Sequence, residues 1–280
     1  MLKNFAAVGA KSAPQPQGPL KGREFVHKLK NSVALLDWDG TIRDGFTIMD
    51  WVGFLLRRKL VTLDILCRLK DAFSARAHGK ISHDELAFRA AAIYADSLSG
   101  SHCECISKEA MQFIDQDRCK ILPLSLEIIR YFQAQKLQVV VVSGAPHEVI
   151  SCYRKLYGLS EIHGLQLETK SGIYTGNIVE NPGISAGKRE VVSEMLAAKT
   201  GSIVVAMGNS DSDMPLFDAA KVKIVVNNPS VRTAGACLHL NGTMDLHHVL
   251  DWLCMELPAF GSAKSWFRLG GGSKKGQPID

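Results

Sequence analysis

Three short apolar runs, far apart in the chain, each break off into acids, hydroxyls and glycine. Val33–Leu36 runs into Asp37-Trp38-Asp39-Gly40-Thr41, and Val139–Val142 runs into Ser143-Gly144-Ala145-Pro146. Val204–Met207 runs into Gly208-Asn209-Ser210-Asp211-Ser212-Asp213. A short apolar run bounded by polar residues reads as a buried strand, and residues at helical spacing fill the intervals. Strands alternating with helices predict a doubly wound α/β fold, a parallel sheet with helices on both faces. In such a sheet the carboxyl ends of the strands share one edge, where ligands bind at the topological switch point. The three polar segments are therefore expected to meet in one pocket.

One interval departs from the alternation. Residues 46–118 show helical spacing only, as in Trp51/Phe54/Leu55 and Leu86/Phe88/Ala90/Ile93, with Ser82 placed to cap the second. That predicts an all-helical cap inserted after the first strand. The expected organisation is a core of 31–45 and 119–262, the cap 46–118, and flexible tails 1–30 and 263–280. Within the core, a helix follows Pro123, and Pro146–Tyr157 reads as helical and stops at Gly158. Leu165–Glu168 and Ile173–Val179 read as a hairpin across Thr169–Gly172. A helix over 186–199, a helix through Leu216, the strand Val222–Val226 and a closing strand and helix within 230–262 complete the pattern.

Composition excludes several classes. The chain is 46% hydrophobic and 22% charged, as globular domains are. No apolar run approaches the roughly 18 to 20 residues of a membrane-spanning helix, so no membrane partner is expected. The net charge of +5 resides in the tail, where six cations from Lys3 to Lys30 face Glu24 alone. A basic tail does not make a basic face, and no nucleic-acid partner is expected. The seven cysteines are scattered and read as reduced thiols. His102-Cys103-Glu104-Cys105 lacks a second pair at zinc spacing and reads as the entry to a helix. Cytoplasmic location is expected, with organellar transit of the acid-poor leader as the alternative.

Asp37 and Asp39 lie two residues apart and leave a strand end on the same side, while Gly40 permits a sharp turn. Asp and Gly also follow ordinary strands; the coincidence of three such ends and a lysine is what singles these out. Two carboxylates so close call for a cation, and oxygen ligands of this kind suit Mg²⁺. Carboxylates, Mg²⁺, hydroxyls and backbone N–H donors together fit a phosphoryl group. The phosphate loop of nucleotidases is absent, since Gly187-Lys188 is followed by Arg189.

The four segments resemble the motifs of the haloacid dehalogenase-like superfamily. Asp37-Trp38-Asp39-Gly40-Thr41 is similar to the first motif, Ser143-Gly144 to the second, Lys188 to the third and Gly208–Asp213 to the fourth. The helical insertion resembles the phosphoserine phosphatase-like subgroup with its helical cap on a Rossmann-like core. The resemblance implies a Mg²⁺-dependent phosphatase acting on a small phosphorylated metabolite. Asp37 would be the nucleophile that forms an aspartyl-phosphate, Asp39 the acid and base, and Lys188 the positive charge beside Asp37. Thr41, Ser143 and Gly144 would hold phosphate, and Asp37, Asp39, Asn209 and Asp213 would hold the metal, with Asp213, as the fourth motif's second acid, helping to orient Lys188 or a bound water.

An acid at position 39 distinguishes phosphatases and phosphomutases from dehalogenases and cation pumps. Asn209 departs from the family, which usually carries aspartate there. It weakens the expected metal site unless Asp211 or Asp213 moves in. It also leaves open a phosphate-binding regulatory module, with a phosphomutase or phosphotransferase as a further option. Arg89 falls near the arginine that phosphoserine phosphatases use for substrate carboxylate, or is an ordinary surface residue. Phe46 stands where they place a glutamate for the substrate amine. Phe46 and Trp51 suggest an apolar leaving group, or pack the core. Oligomeric state is not legible.

Overall fold

The computed structural model describes residues 32–198, 201–242 and 244–260. The basic leader and the glycine-rich end, with the transit alternative for the former, lie outside the described residues. Among the described residues no helix is long and apolar enough to cross a membrane.

Seven strands form one sheet: β1 (Val33–Leu36), β2 (Gln138–Pro146), β3 (Glu161–Lys170), β4 (Ile173–Glu180), β5 (Ile203–Gly208), β6 (Val222–Val226) and β7 (Ala236–Leu240). Their order is β4-β3-β2-β1-β5-β6-β7. All pairs are parallel except β3/β4, the expected hairpin. Both faces of β1 are buried, as a parallel sheet under two helical layers requires. Ala34 and Leu36 pack into one apolar cluster, Val33 and Leu35 into the other.

The topology explains why the polar segments meet. From β1 the sheet grows to one side through β2 and to the other through β5. Leu36 sits opposite Val141 on β2 and Met207 on β5, so the three carboxyl ends are level. The Asp37 N–H donates to the Met207 carbonyl at 2.9 Å, carrying the register into the loop.

Four helices form the excursion after β1: α1 (Thr47–Arg57), α2 (Leu63–Ala77), α3 (His83–Leu98) and α4 (Cys103–Asp117). As read from sequence, Ser82 caps α3, accepting from the Glu85 N–H at 3.1 Å. The His102–Cys105 cluster is indeed a helix entry, the start of α4. The remaining helices are α5 (Pro123–Ala134), α6 (His147–Ile150), α7 (Cys152–Leu156), α8 (Ser185–Ala197), α9 (Met214–Ala219) and α10 (Leu246–Glu256). The segment expected to run as one helix from Pro146 to Tyr157 differs. β2 continues to Pro146, and the helix is broken in two at Ser151.

The chain enters and leaves the four-helix excursion through one narrow ribbon. Asp44 N–H donates to Lys120 O and Leu122 N–H to Ile42 O, both at 2.8 Å. Arg43, fully buried, fastens this ribbon from within. Its Nε lies 3.0 and 3.1 Å from the two Asp117 oxygens, its Nη2 2.5 Å from Asp50, and its Nη1 donates to the Asp44 carbonyl. Tyr153 adds a 2.9 Å hydrogen bond to Asp117. Burial opposes a charged guanidinium, yet the Asp117 and Asp50 hydrogen bonds hold Arg43 above its usual pKa. Removing one partner of such a buried pair costs about 3–5 kcal/mol.

A second attachment joins the excursion to the hairpin. Gly100 N–H donates to Tyr174 O, Tyr174 N–H to Ser101 O and Cys103 N–H to Gly172 O, at 2.9, 3.0 and 2.9 Å.

Candidate active site

The loop after β1 turns at Gly40, whose φ of 74° suits glycine. A Cβ there would also strike the Asn209 side chain, only 1.9 Å from Nδ2. The first and fourth polar segments are thus pressed together at the sheet edge.

Asp37 is buried. Its Oδ1 accepts from Lys188 Nζ at 3.0 Å. Lys188 sits in the first turn of α8, itself buried, and also donates to Asp213 Oδ1. Two carboxylates thus hold one ammonium, and their charges keep Lys188 above its usual pKa although burial works the other way. Burial lifts Asp37 to about 6 despite Lys188, with the Asp213 charge adding to the rise.

Asp39 points at the start of α1. It accepts from Thr47 N–H at 3.0 Å and from Thr47 Oγ1 at 2.5 Å. Thr47 Oγ1 in turn accepts from Trp38 Nε1 at 3.1 Å. Burial lifts Asp39 to about 7, with Thr47 and Arg43, whose Nη1 lies 4.0 Å away, opposing the rise.

Asp37, Asp39, Ser143, Gly144, Lys188 and Asn209 all line one cavity of about 290 Å³. The opposite wall comes from the excursion and its entry: Phe46, Ile48, Phe73, Arg76, His83 and one face of α3. One cap-to-core contact closes the two walls together. Asp84 Oδ1 accepts from both Ser185 N–H and Oγ, at 3.1 Å each. A carboxylate from α3 therefore caps α8, the helix that presents Lys188.

Two expected site residues are placed otherwise, and a third, Asp213, takes up the expected contact with Lys188. Arg89 is outside the cavity and pairs with Glu85 at 2.7 Å on the exposed side of α3. The cavity-facing stripe of that helix is Leu86, Ala87, Ala90 and Ala91, which leaves position 89 well around the helix. Thr41 is fully buried away from the cavity, its hydroxyl 3.4 Å from Asp37 Oδ2, so it supports Asp37 and not phosphate. Asp213 has both oxygens engaged by the protein. Oδ1 takes Lys188, and Oδ2 accepts from Asn209 N–H at 2.8 Å, Ser210 N–H at 2.9 Å and Ser210 Oγ at 3.1 Å. Asp211 is exposed in a short turn. Trp51 belongs to the core, whereas Phe46 is 48% exposed and faces the cavity.

Other contributors carried little sequence signal. Gly183 lies so close to Gly144 that a Cβ on the latter would come within 2.5 Å of its Cα. Asn228 Nδ2 holds the Asn209 carbonyl at 2.8 Å. Arg76 and His83 come from the excursion, where the spacing showed only helix.

The haloacid dehalogenase-like hydrolase profile matches residues 34–218, which contain every side chain of the carboxylate–lysine cluster. The chain belongs to that family. Among curated proteins, a histidinol-phosphatase from Neisseria meningitidis serogroup C (strain 8013) is 25% identical over 211 residues, 71% of this chain and 91% of that one. Among solved structures, a protein of unknown function from Bordetella pertussis Tohama I aligns with TM-score 0.63 and 19% identity, covering 74% of this chain and 97% of that one. A phosphoserine phosphatase in a phospho-aspartyl intermediate analogue form aligns with TM-score 0.55 and 19% identity, covering 79% and 97%. These structural likenesses show the fold, an α/β core with a helical cap.

The oxygen donors at the sheet edge fit a hard divalent cation. Asp37, Asp39 and Asn209 line the same cavity, and their oxygens are donors of the kind such a cation takes. Asp37 and Asp213 share Lys188 as their cation, while the Asp39 carboxylate has Arg43 Nη1 at 4.0 Å.

Proposed function

We propose that the protein is a Mg²⁺-dependent phosphatase that hydrolyses a small phosphomonoester through an aspartyl-phosphate on Asp37. The observation that carries the proposal is the buried Lys188 bridge between Asp37 and Asp213 at the mouth of three parallel strands. The names of the relatives, a histidinol-phosphatase and a phosphoserine phosphatase, agree with it.

In this reading Asp37 attacks phosphorus and the ester P–O bond breaks. The departing oxygen takes its proton from Asp39, which Thr47 holds by two hydrogen bonds. Asp39 then removes a proton from the water that attacks the phosphorylated Asp37, freeing the carboxylate and inorganic phosphate. Lys188 keeps Asp37 ionised and aligned. Ser143 Oγ and the Gly144 N–H receive phosphoryl oxygens. Mg²⁺, held by Asp37, the Asp39 carbonyl and Asn209, would neutralise phosphoryl charge when bound. Asp213 serves by positioning Lys188.

Phosphate release from an aryl phosphate, with and without Mg²⁺, tests the proposal. The native chain should turn over only with the metal, and Asp37→Asn should lose activity on the order of 10⁴-fold or more, the scale of nucleophile removal in covalent catalysis. Near-native activity in Asp37→Asn would exclude the nucleophile.

A further inference from the structure

The wall of the cavity that faces the leaving group has a definite chemical character. Phe46 and Phe73 meet edge to face, ring centroids 4.7 Å apart, and present an aromatic surface. Arg76 stands one helical turn beyond Phe73 on α2, and its guanidinium has neither a hydrogen bond nor an ion-pair partner among the described residues. His83 opens α3 beside it, with a buried Nδ1 that also finds no partner there. Among the described residues, no carboxylate other than Asp37 and Asp39 lines the cavity. An ammonium on the leaving group would therefore meet Arg76 and no counter-charge, while an anion would find an open guanidinium. Flat apolar groups suit the Phe46–Phe73 surface.

Building on the phosphatase reading above, we propose that Phe46, Phe73, Arg76 and His83 form a leaving-group subsite selecting phosphate esters of flat, apolar alcohols that carry an anionic substituent. Arg76 would pair with that substituent, His83 Nδ1 would hydrogen-bond to it, and the two phenylalanines would cover the ring. Substrates bearing an ammonium are disfavoured, so selectivity runs opposite to what a cationic amino alcohol phosphate needs.

Three benzyl phosphates of similar shape separate the possibilities: the parent, its 4-carboxy and its 4-aminomethyl derivatives. Their reacting oxygens are nearly equivalent, so differences report recognition. In the native chain, kcat/KM for the carboxylate should exceed that for the ammonium by about tenfold or more, the scale of one charge-assisted hydrogen bond. Arg76→Ala should collapse that ratio, Arg76→Glu should invert it, and Phe46→Glu should raise turnover of the ammonium. Arg89→Ala, a surface cation outside the cavity, should leave the ratio unchanged. A native preference for the ammonium, or a ratio indifferent to Arg76, would overturn the subsite. Competition binding of the same three esters to Asp37→Asn gives the ratio without turnover. Failure of hydrolysis with the binding preference intact would count against the phosphatase reading alone.

Discussion

The two walls of the cavity are built on opposite principles. On the sheet side the charged groups are buried or half-buried and committed: Lys188 to two carboxylates, Asp213 to four donors, Asp39 to Thr47. On the excursion side the surface is apolar, and its polar groups, Arg76 and the His83 Nδ1, are uncommitted. Chemistry demands groups fixed in place before the substrate arrives. Recognition demands groups whose hydrogen-bonding capacity the substrate itself completes. The difference teaches where each task is done: substitutions on the sheet side should lower turnover of every substrate together, and those opposite should change the ranking among substrates.

The strongest way to break this division is at Asp37. The loss in Asp37→Asn should be the same for all three benzyl phosphates, and a loss confined to one ester would merge the two walls into one. Next comes Arg43, which belongs to neither wall and joins them. Arg43→Ala should lower stability by about 3–5 kcal/mol because Asp117 stays buried without its cation, read as a shift in the urea unfolding midpoint. A cost below about 1 kcal/mol would show that the ribbon does not depend on that pair.

Asp84→Ala removes the cap that the excursion provides to α8. It should cost about 1 kcal/mol and lower kcat for all esters alike, because the residue steadied is Lys188. A change in ester ranking without a change in kcat would assign Asp84 to recognition. The smallest effect concerns a site away from both walls. His163 on β3 accepts a raised pKa chiefly from its 3.1 Å contact with Glu180 on β4, against the effect of burial. A raised folded-state pKa means that this pair stabilises the fold fully below the unfolded pKa of about 6.5 and less as pH rises through the folded value. The contribution is partly screened and below about 1 kcal/mol. His163→Ala should flatten that part of the stability–pH curve and leave ester ranking untouched.

Legibility in the sequence followed the same divide. The strands, the hairpin and the convergence of Asp37, Ser143 and Asn209 could be read because each sits beside a local signal, an apolar run ending in polar residues, whereas Lys188 is reached through the family resemblance. The excursion could be read as helices but not as a wall, since hydrophobic period shows that α3 has a buried face without showing what the face looks upon. Arg89 and Arg76 are equivalent as letters; helix phase and packing put one against Glu85 and the other in the cavity. Thr41 is expected on phosphate, but its hydroxyl is turned to Asp37 inside the core, a contact that nothing in its neighbouring residues announces. The Arg43–Asp117 pair spans 74 residues, and nothing beside either residue announces a buried charge.

The ribbon at Ile42–Asp44 and Lys120–Leu122 has a consequence for how such a chain changes over generations. Because the excursion departs and returns through hydrogen-bonded neighbours, the sheet meets it as if it were a tight loop, whatever its length. Loop-closure entropy rises only slowly with the number of residues enclosed. Residues can therefore be gained, lost or exchanged beyond that gate at little thermodynamic penalty, and the catalytic edge can be inherited intact while its clientele is rewritten.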